Sequence, residues 1–169
     1  MQKAKQRSEI AQQDKWRIED IYATDEAWEA DYNECIRRAK EKCAYQGRLA
    51  ESALILYQAL KESDEADLLV EHVYVYAFMK YYEDTANAVY QEMSGRAQAA
   101  VTKLSEKYAF LTPEILAIDE KKMQEYLNSD TLALYRHALE DITCKKRPCP
   151  FRKGRTPACN GRAGDGFTE

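Results

Sequence analysis

The chain has 169 residues, 45% of them hydrophobic, with 25 Lys and Arg against 29 Asp and Glu. That is one domain's worth of polypeptide, long enough to bury a core without disulfide staples. No apolar run approaches the roughly 20 residues that span a bilayer, and residues 1–16 (MQKAKQRSEIAQQDKW) lack the apolar stretch of an export signal, which argues against membrane insertion and secretion.

Scarce Gly and Pro beside abundant Ala, Glu, Lys and Leu predict an all-α fold. Residues 1–13 are polar and read as a flexible N-terminus. Ile18, Ile21 and Tyr22 lead into Thr24-Asp25-Glu26, a capping hydroxyl followed by two carboxylates at the positive end of a helix. The spacing then predicts a helix over about 25–44, with Trp28, Tyr32, Cys35, Ile36 and Ala39 on the buried stripe and Gly47 as its terminator. Ser52 is placed to cap a short helix through Leu60, and Ser63 or Asp64 to start another. The stretch LLVEHVYVYAFMKYY, residues 68–82, is the most apolar of the chain and predicts a helix buried on most sides.

Beyond it, Ala86, Val89, Tyr90, Met93, Ala97, Ala100, Val101, Leu104, Tyr108 and Leu111 repeat at three and four residues, the strongest helical signal present. Gly95 interrupts this pattern, and close packing against a neighbouring helix would account for it. Thr112-Pro113-Glu114 offers an N-cap with proline at the first helical position. Asp119 and Ser129 can start two further short helices, the last ending near Ile142. The expected architecture is an antiparallel, bundle-like lobe of six to seven helices joined by short loops over residues 14–143.

The last 26 residues are a different polymer. Residues 1–143 carry 18 basic and 27 acidic side chains, whereas residues 144–169 carry seven basic and two acidic. This tail also holds Cys144, Cys149 and Cys159, three of the four prolines and four of the six glycines, so it reads as irregular and basic.

A search for chemistry yields no catalytic, cofactor-binding or metal-binding residue. His72 and His137 are 65 positions apart, and the bland reading makes the first a partly buried helix residue and the second a side chain at a helix end. There is no H-E-x-x-H, phosphate-binding loop, dinucleotide fingerprint or G-x-S-x-G. Cys144, Cys149 and Cys159 lack C-x-x-C spacing and a nearby His, which disfavours a zinc knuckle. Cys35 and Cys43 on one helix would lie about 12 Å apart, too far to bridge. Five thiols without an export signal favour reduced cysteines and a cytoplasmic setting. The basic tail, without stacking aromatics in series, does not amount to a specific nucleic-acid module.

One series of segments resembles the N-terminal region of oligoendopeptidase F, a thimet-like family of zinc metallo-oligopeptidases. It comprises residues 15–22 (KWRIEDIY), 25–29 (DEAWE), 47–52 (GRLAES), 73–80 (VYVYAFMK) with 83–85 (EDT), 113–116 (PEIL) and 135–142 (YRHALEDI). The resemblance implies an N-terminal helical lobe walling a peptide-sized cavity in a protein several times longer. It also implies zinc, held elsewhere in such a protein by an H-E-x-x-H helix with a downstream Glu. The expectation is therefore a lobe inactive alone, with no cofactor of its own. Its partners would be the missing catalytic domain or oligopeptides, and exposed interface would allow self-association.

The tail departs from the family after Ile142. One permitted set of codons for residues 156–166, read one base downstream, spells the helix-like RLLAMAGREM, so a frame change or truncation would explain the break. The competing reading is a free-standing helical module whose tyrosine-rich surface binds a peptide or another helix.

Overall fold

The computed structural model describes residues 9–144, and among these the regular structure is all helical. The N-terminal residues 1–8 and the basic tail from 145 onward, with Cys149 and Cys159, lie outside the described residues. Six α-helices follow one another as α1 (Asp25–Lys40), α2 (Ala53–Glu83), α3 (Ala88–Tyr108), α4 (Leu111–Ala117), α5 (Glu120–Leu127) and α6 (Arg136–Cys144). Three short 3-10 segments, Gln12–Asp14, Ile18–Asp20 and Asp130–Tyr135, complete the order.

The caps follow side-chain chemistry. Thr24 Oγ1 accepts from the Ala27 amide at 3.3 Å, Ser52 Oγ from Ile55 at 3.2 Å, and Asn87 Oδ1 from Val89 at 3.0 Å. Each satisfies an amide that has no partner inside its own helix. Asp119 does the same for Lys121 and Lys122, and Ser129 caps the 3-10 segment that runs into α6.

Two hydrophobic clusters form the core. The first joins Ile18, Tyr22, α1, α3 and the C-terminal part of α2 around Trp28, Val73, Tyr76, Ala97 and Leu104. The second joins Leu49, the N-terminal part of α2 and the chain from α4 to α6 around Leu56, Ile115, Leu132 and Leu139. Phe110 and Leu111, at the α3–α4 corner, pack against both.

Trp28 ties the first cluster together. It is fully buried, and its Nε1–H donates to the Val73 carbonyl at 2.8 Å. Its ring stacks on Tyr32, and the Arg96 guanidinium from α3 lies over both rings while pairing with Glu29.

Several expectations are corrected here. The break foreseen at Ser63 and Asp64 does not occur, because α2 is continuous for 31 residues. Ser63 is 9% exposed and sits in its buried seam, where a small side chain serves packing rather than capping. The apolar run over 68–82 is open on its outer side: Leu68 is 56% and Tyr82 70% exposed. The α4 helix begins at Leu111 after Phe110, which makes no side-chain cap, and Pro113 falls within the first turn, where an amide hydrogen is not needed.

Helix α1 stops at Lys40, short of the expected 44. Its Arg38 carbonyl accepts both from the Glu41 amide and from Lys107 Nζ of α3 at 3.0 Å, so a tertiary contact holds its end. Lys107 is nearly buried and pairs with Glu62 at 3.3 Å, and the Tyr108 hydroxyl donates to the same carboxylate at 2.9 Å. Cys43 therefore lies beyond α1, and Gly47 is a loop residue rather than the helix terminator. Gly47 has φ of 80°, and its amide donates to Glu114 Oε1 at 2.7 Å. Gly95 is exposed on α3 with nothing within 4 Å of where a Cβ would stand, so close packing is not its reason.

The two glycines should respond oppositely to alanine. Gly95→Ala is expected to stabilise the fold by roughly 0.5–1 kcal/mol, since only helix propensity changes. Gly47→Ala should cost about 1–2 kcal/mol from the left-handed backbone alone. Urea unfolding of both variants checks this, and equal responses would contradict the backbone argument. Glu62→Ala, which strips Lys107 of its partner in a nearly buried place, is expected to cost about 2 kcal/mol or more in the same measurement.

Candidate docking cleft

A concavity of about 570 Å³ lies between α4, α5 and α6. Its floor is apolar, made by Ile115, Leu116, Ile118, Met123 and Leu127. Helices of seven to nine residues present too little side to cover one another fully, which leaves this gap. Arg136 spans the wall, its Nε donating to the Leu127 carbonyl at 2.9 Å and so holding the end of α5 against the start of α6. Thr143 Oγ1 donates back into its own helix, to the Leu139 carbonyl at 2.8 Å. Glu120, Glu140 and Cys144 complete the lining.

This arrangement suits packing rather than bond-making. A thiol at the rim without an imidazole beside it has no base to activate it. Among the described residues no group of three or more His, Cys, Asp or Glu is placed to hold a metal ion. His72 is exposed on α2, not partly buried as expected. His137 is 88% exposed at the start of α6, with Nδ1 3.4 Å from Asp141. The histidines are thus on separate helices, and neither lines the cleft.

The described cysteines are unpaired. Burial, with Asp31 nearby, pushes the Cys35 thiol up to about 11, which keeps it protonated and inert.

Four of the acids accept hydrogen bonds from tyrosines of the packed interior. Tyr22 donates to Asp31, Tyr76 to Asp25, Tyr108 to Glu62 and Tyr135 to Asp64, all within 2.7–2.9 Å. Burial first, and the carboxylate second, pushes each of these phenols well above its ordinary value. These carboxylates are acceptors for structure, and sequence reasoning missed them because the partners stand 9 to 71 positions apart. Only the abundance of both residue types hinted at the pairing. Glu34, bridged by Arg37 and Arg38 on the outside of α1, is held down to about 2.

A second surface feature is the outer side of α2. Tyr74 and Phe78 stand 4.2 Å apart between ring centres, Phe78 and Tyr82 5.9 Å, and Tyr81 and Tyr82 5.3 Å. Two turns before Tyr74, Asp67 is held above the usual carboxylate range by lost solvent and by Asp64 and Glu71.

No family profile matches the chain. Among known proteins it is 40% identical over 143 residues to oligopeptidase PepF of Bacillus subtilis, covering 84% of this chain and 21% of that protein. It is 33% identical over 141 residues to the group B oligopeptidase PepB of Streptococcus agalactiae, covering 83% and 24%. In fold it superposes on oligoendopeptidase-F from Enterococcus faecium with a TM-score of 0.66 at 28% identity, covering 72% and 24%. A crystal structure from Chlamydophila abortus gives a TM-score of 0.73 at 24% identity, which speaks to fold alone. The chain spans about a fifth to a quarter of the length of the relatives it matches.

Asp67→Asn should stabilise the chain at pH 7. A folded-state value raised above 3.8 means that ionised Asp67 costs stability above the raised value, and that the cost fades as pH falls toward 3.8. Melting temperatures of the two proteins should therefore differ at pH 7 and converge below pH 3.8. A constant gap across that range would show that charge is not the cause.

Proposed function

By sequence and fold the chain corresponds to a piece of oligoendopeptidase F, and we propose that it is the N-terminal helical lobe of a zinc metallopeptidase of that kind, acting on short peptides. The observation that carries this reading is the similarity running along 84% of the chain against relatives several times longer. In such a protein the lobe supplies a wall and a packing surface, while the bond-breaking chemistry comes from elsewhere.

The residues present do not make a zinc site. The sequence has no H-E-x-x-H, and the exposed His72 and His137 are carried on different helices. No step of peptide hydrolysis is assigned to this chain, and by itself it is inactive. Its partners are then the remainder of such a peptidase and, through that, oligopeptides. No described helix is long and apolar enough to cross a membrane, and the free thiols at Cys35 and Cys43 agree with a reducing, cytoplasmic setting.

The test has two arms. Purified chain, supplied with zinc and a quenched fluorescent oligopeptide, is expected to give no cleavage. Zinc-dependent, chelator-sensitive turnover would overturn the claim of inactivity. A chimera in which residues 14–143 replace the matched stretch of the Bacillus subtilis PepF is expected to cleave the same peptide. A folded but inactive chimera would count against the lobe assignment.

A further inference from the structure

Helix α2 carries two apolar stripes, and the fold uses one. The inner stripe, Leu56, Ala59, Ser63, Ala66, Val70, Val73 and Ala77, is buried at alternating spacings of three and four. On the outer side, Leu68, Val75 and Tyr82 recur every seven residues, with Tyr74, Phe78 and Tyr81 between them. The same half of the helix is thus apolar toward solvent as well as toward the core.

The tyrosines on the two sides differ in chemistry. Tyr76, facing inward, gives its hydroxyl to Asp25. Tyr74, Tyr81 and Tyr82 have ring contacts, and among the described residues their hydroxyls make no hydrogen bond. Aromatic rings clustered at a surface are the composition of a contact patch.

Resting on the reading above, we infer that the outer stripe of α2, residues 68–82, is the seat for the remainder of the peptidase polypeptide, contributed as an apolar helix flanked by Lys or Arg. Two observations select this occupant. The relatives and the superposed crystal chain are about four times longer than the matched region, so more than three quarters of such a protein has still to be placed against this lobe. The approach is also lined with negative charge from Asp67 and Glu71, which favours a cationic flank and opposes a second copy bringing the same carboxylates.

Size points the same way. Six side chains, several already covering one another, fall short of the roughly 800 Å² per partner typical of a stable free complex. A contact within one polypeptide escapes the cost of association and holds with less.

The test uses the chimera described above, with a readout independent of activity. Leu68→Cys in the intact chain is expected to react quickly with maleimide, read at position 68 by mass spectrometry, and at least about tenfold more slowly in the chimera, where the site is covered. Leu68→Lys with Tyr82→Lys should shift the melting temperature of the chain far less than that of the chimera, since both positions are exposed and the lost ring contacts of Tyr82 are offset by a cation beside Asp67 and Glu71. The same pair should lower that of the chimera and cut its peptide cleavage about tenfold, an interfacial loss near 1.4 kcal/mol. Leu54→Lys with Leu134→Lys, exposed at 55% and 78% away from the stripe, should change neither.

An active chimera that labels as fast as the chain and ignores the lysine pair overturns the interface and leaves the functional reading standing. An inactive chimera with position 68 protected does the reverse. Protection in the chain by itself, rising with its concentration and relieved by the lysine pair, assigns the stripe to a second copy and overturns the inference.

Discussion

Everything in the lobe depends on the continuity of α2. One helix of 31 residues, about 46 Å long, supplies buried side chains to both hydrophobic clusters, so neither can form without it. Its inner seam advances by alternating threes and fours, close to the 3.5-residue period with which helices pack side by side at shallow angles. Ala59, Ser63 and Ala66 occupy the stretch where one cluster gives way to the other. The polar knot of Glu62, Lys107, Tyr108 and the Arg38 carbonyl sits beside them and ends α1. A small-residue waist and a satisfied polar knot let one helix serve two cores.

The excess of carboxylates over the body follows from the same packing. Large tyrosines fill the spaces between helices, and a buried phenol without an acceptor would cost more than its ring contributes. Asp25, Asp31, Glu62 and Asp64 supply those acceptors from neighbouring elements. Four of the carboxylates are therefore committed to holding tyrosines in register. This is why numerous acids here imply neither a metal site nor an acid–base pair, and why the fold can be rich in titratable groups yet chemically quiet.

The sequence was most informative where local chemistry decides the outcome. The cap at Thr24, the periodic stretch that becomes α3, and the starts at Asp119 and Ser129 all rest on contacts within a few residues. It was least informative where distant partners decide. Ser63 has the look of a cap because its hydroxyl is legible, while the seam that needs a small side chain is made by other helices. The end of α1 is fixed by Lys107, 69 positions from the carbonyl it reaches. The cleft was invisible for the same reason, since its floor gathers side chains from separate short helices. The family was legible only through the series of segments shared with oligoendopeptidase F, because no motif of the sequence announces a reaction.

The composition of residues 68–82 carried information about context that periodicity could not separate. An apolar run on most sides of a helix states that most sides are to be covered, without stating by what. Among the described residues the inner side is buried, Tyr74, Val75, Phe78 and Tyr81 are half-buried, and Leu68 and Tyr82 remain open to water. A surface helix can be stable with such a face, because its inner stripe and its caps already hold it, and the ring contacts of the face add little beside them. Its presence, like that of the exposed Leu54, Val89 and Leu134, is understandable if the lobe is part of a larger body. The helix that organises the two cores from within is then also the element through which the lobe meets the rest.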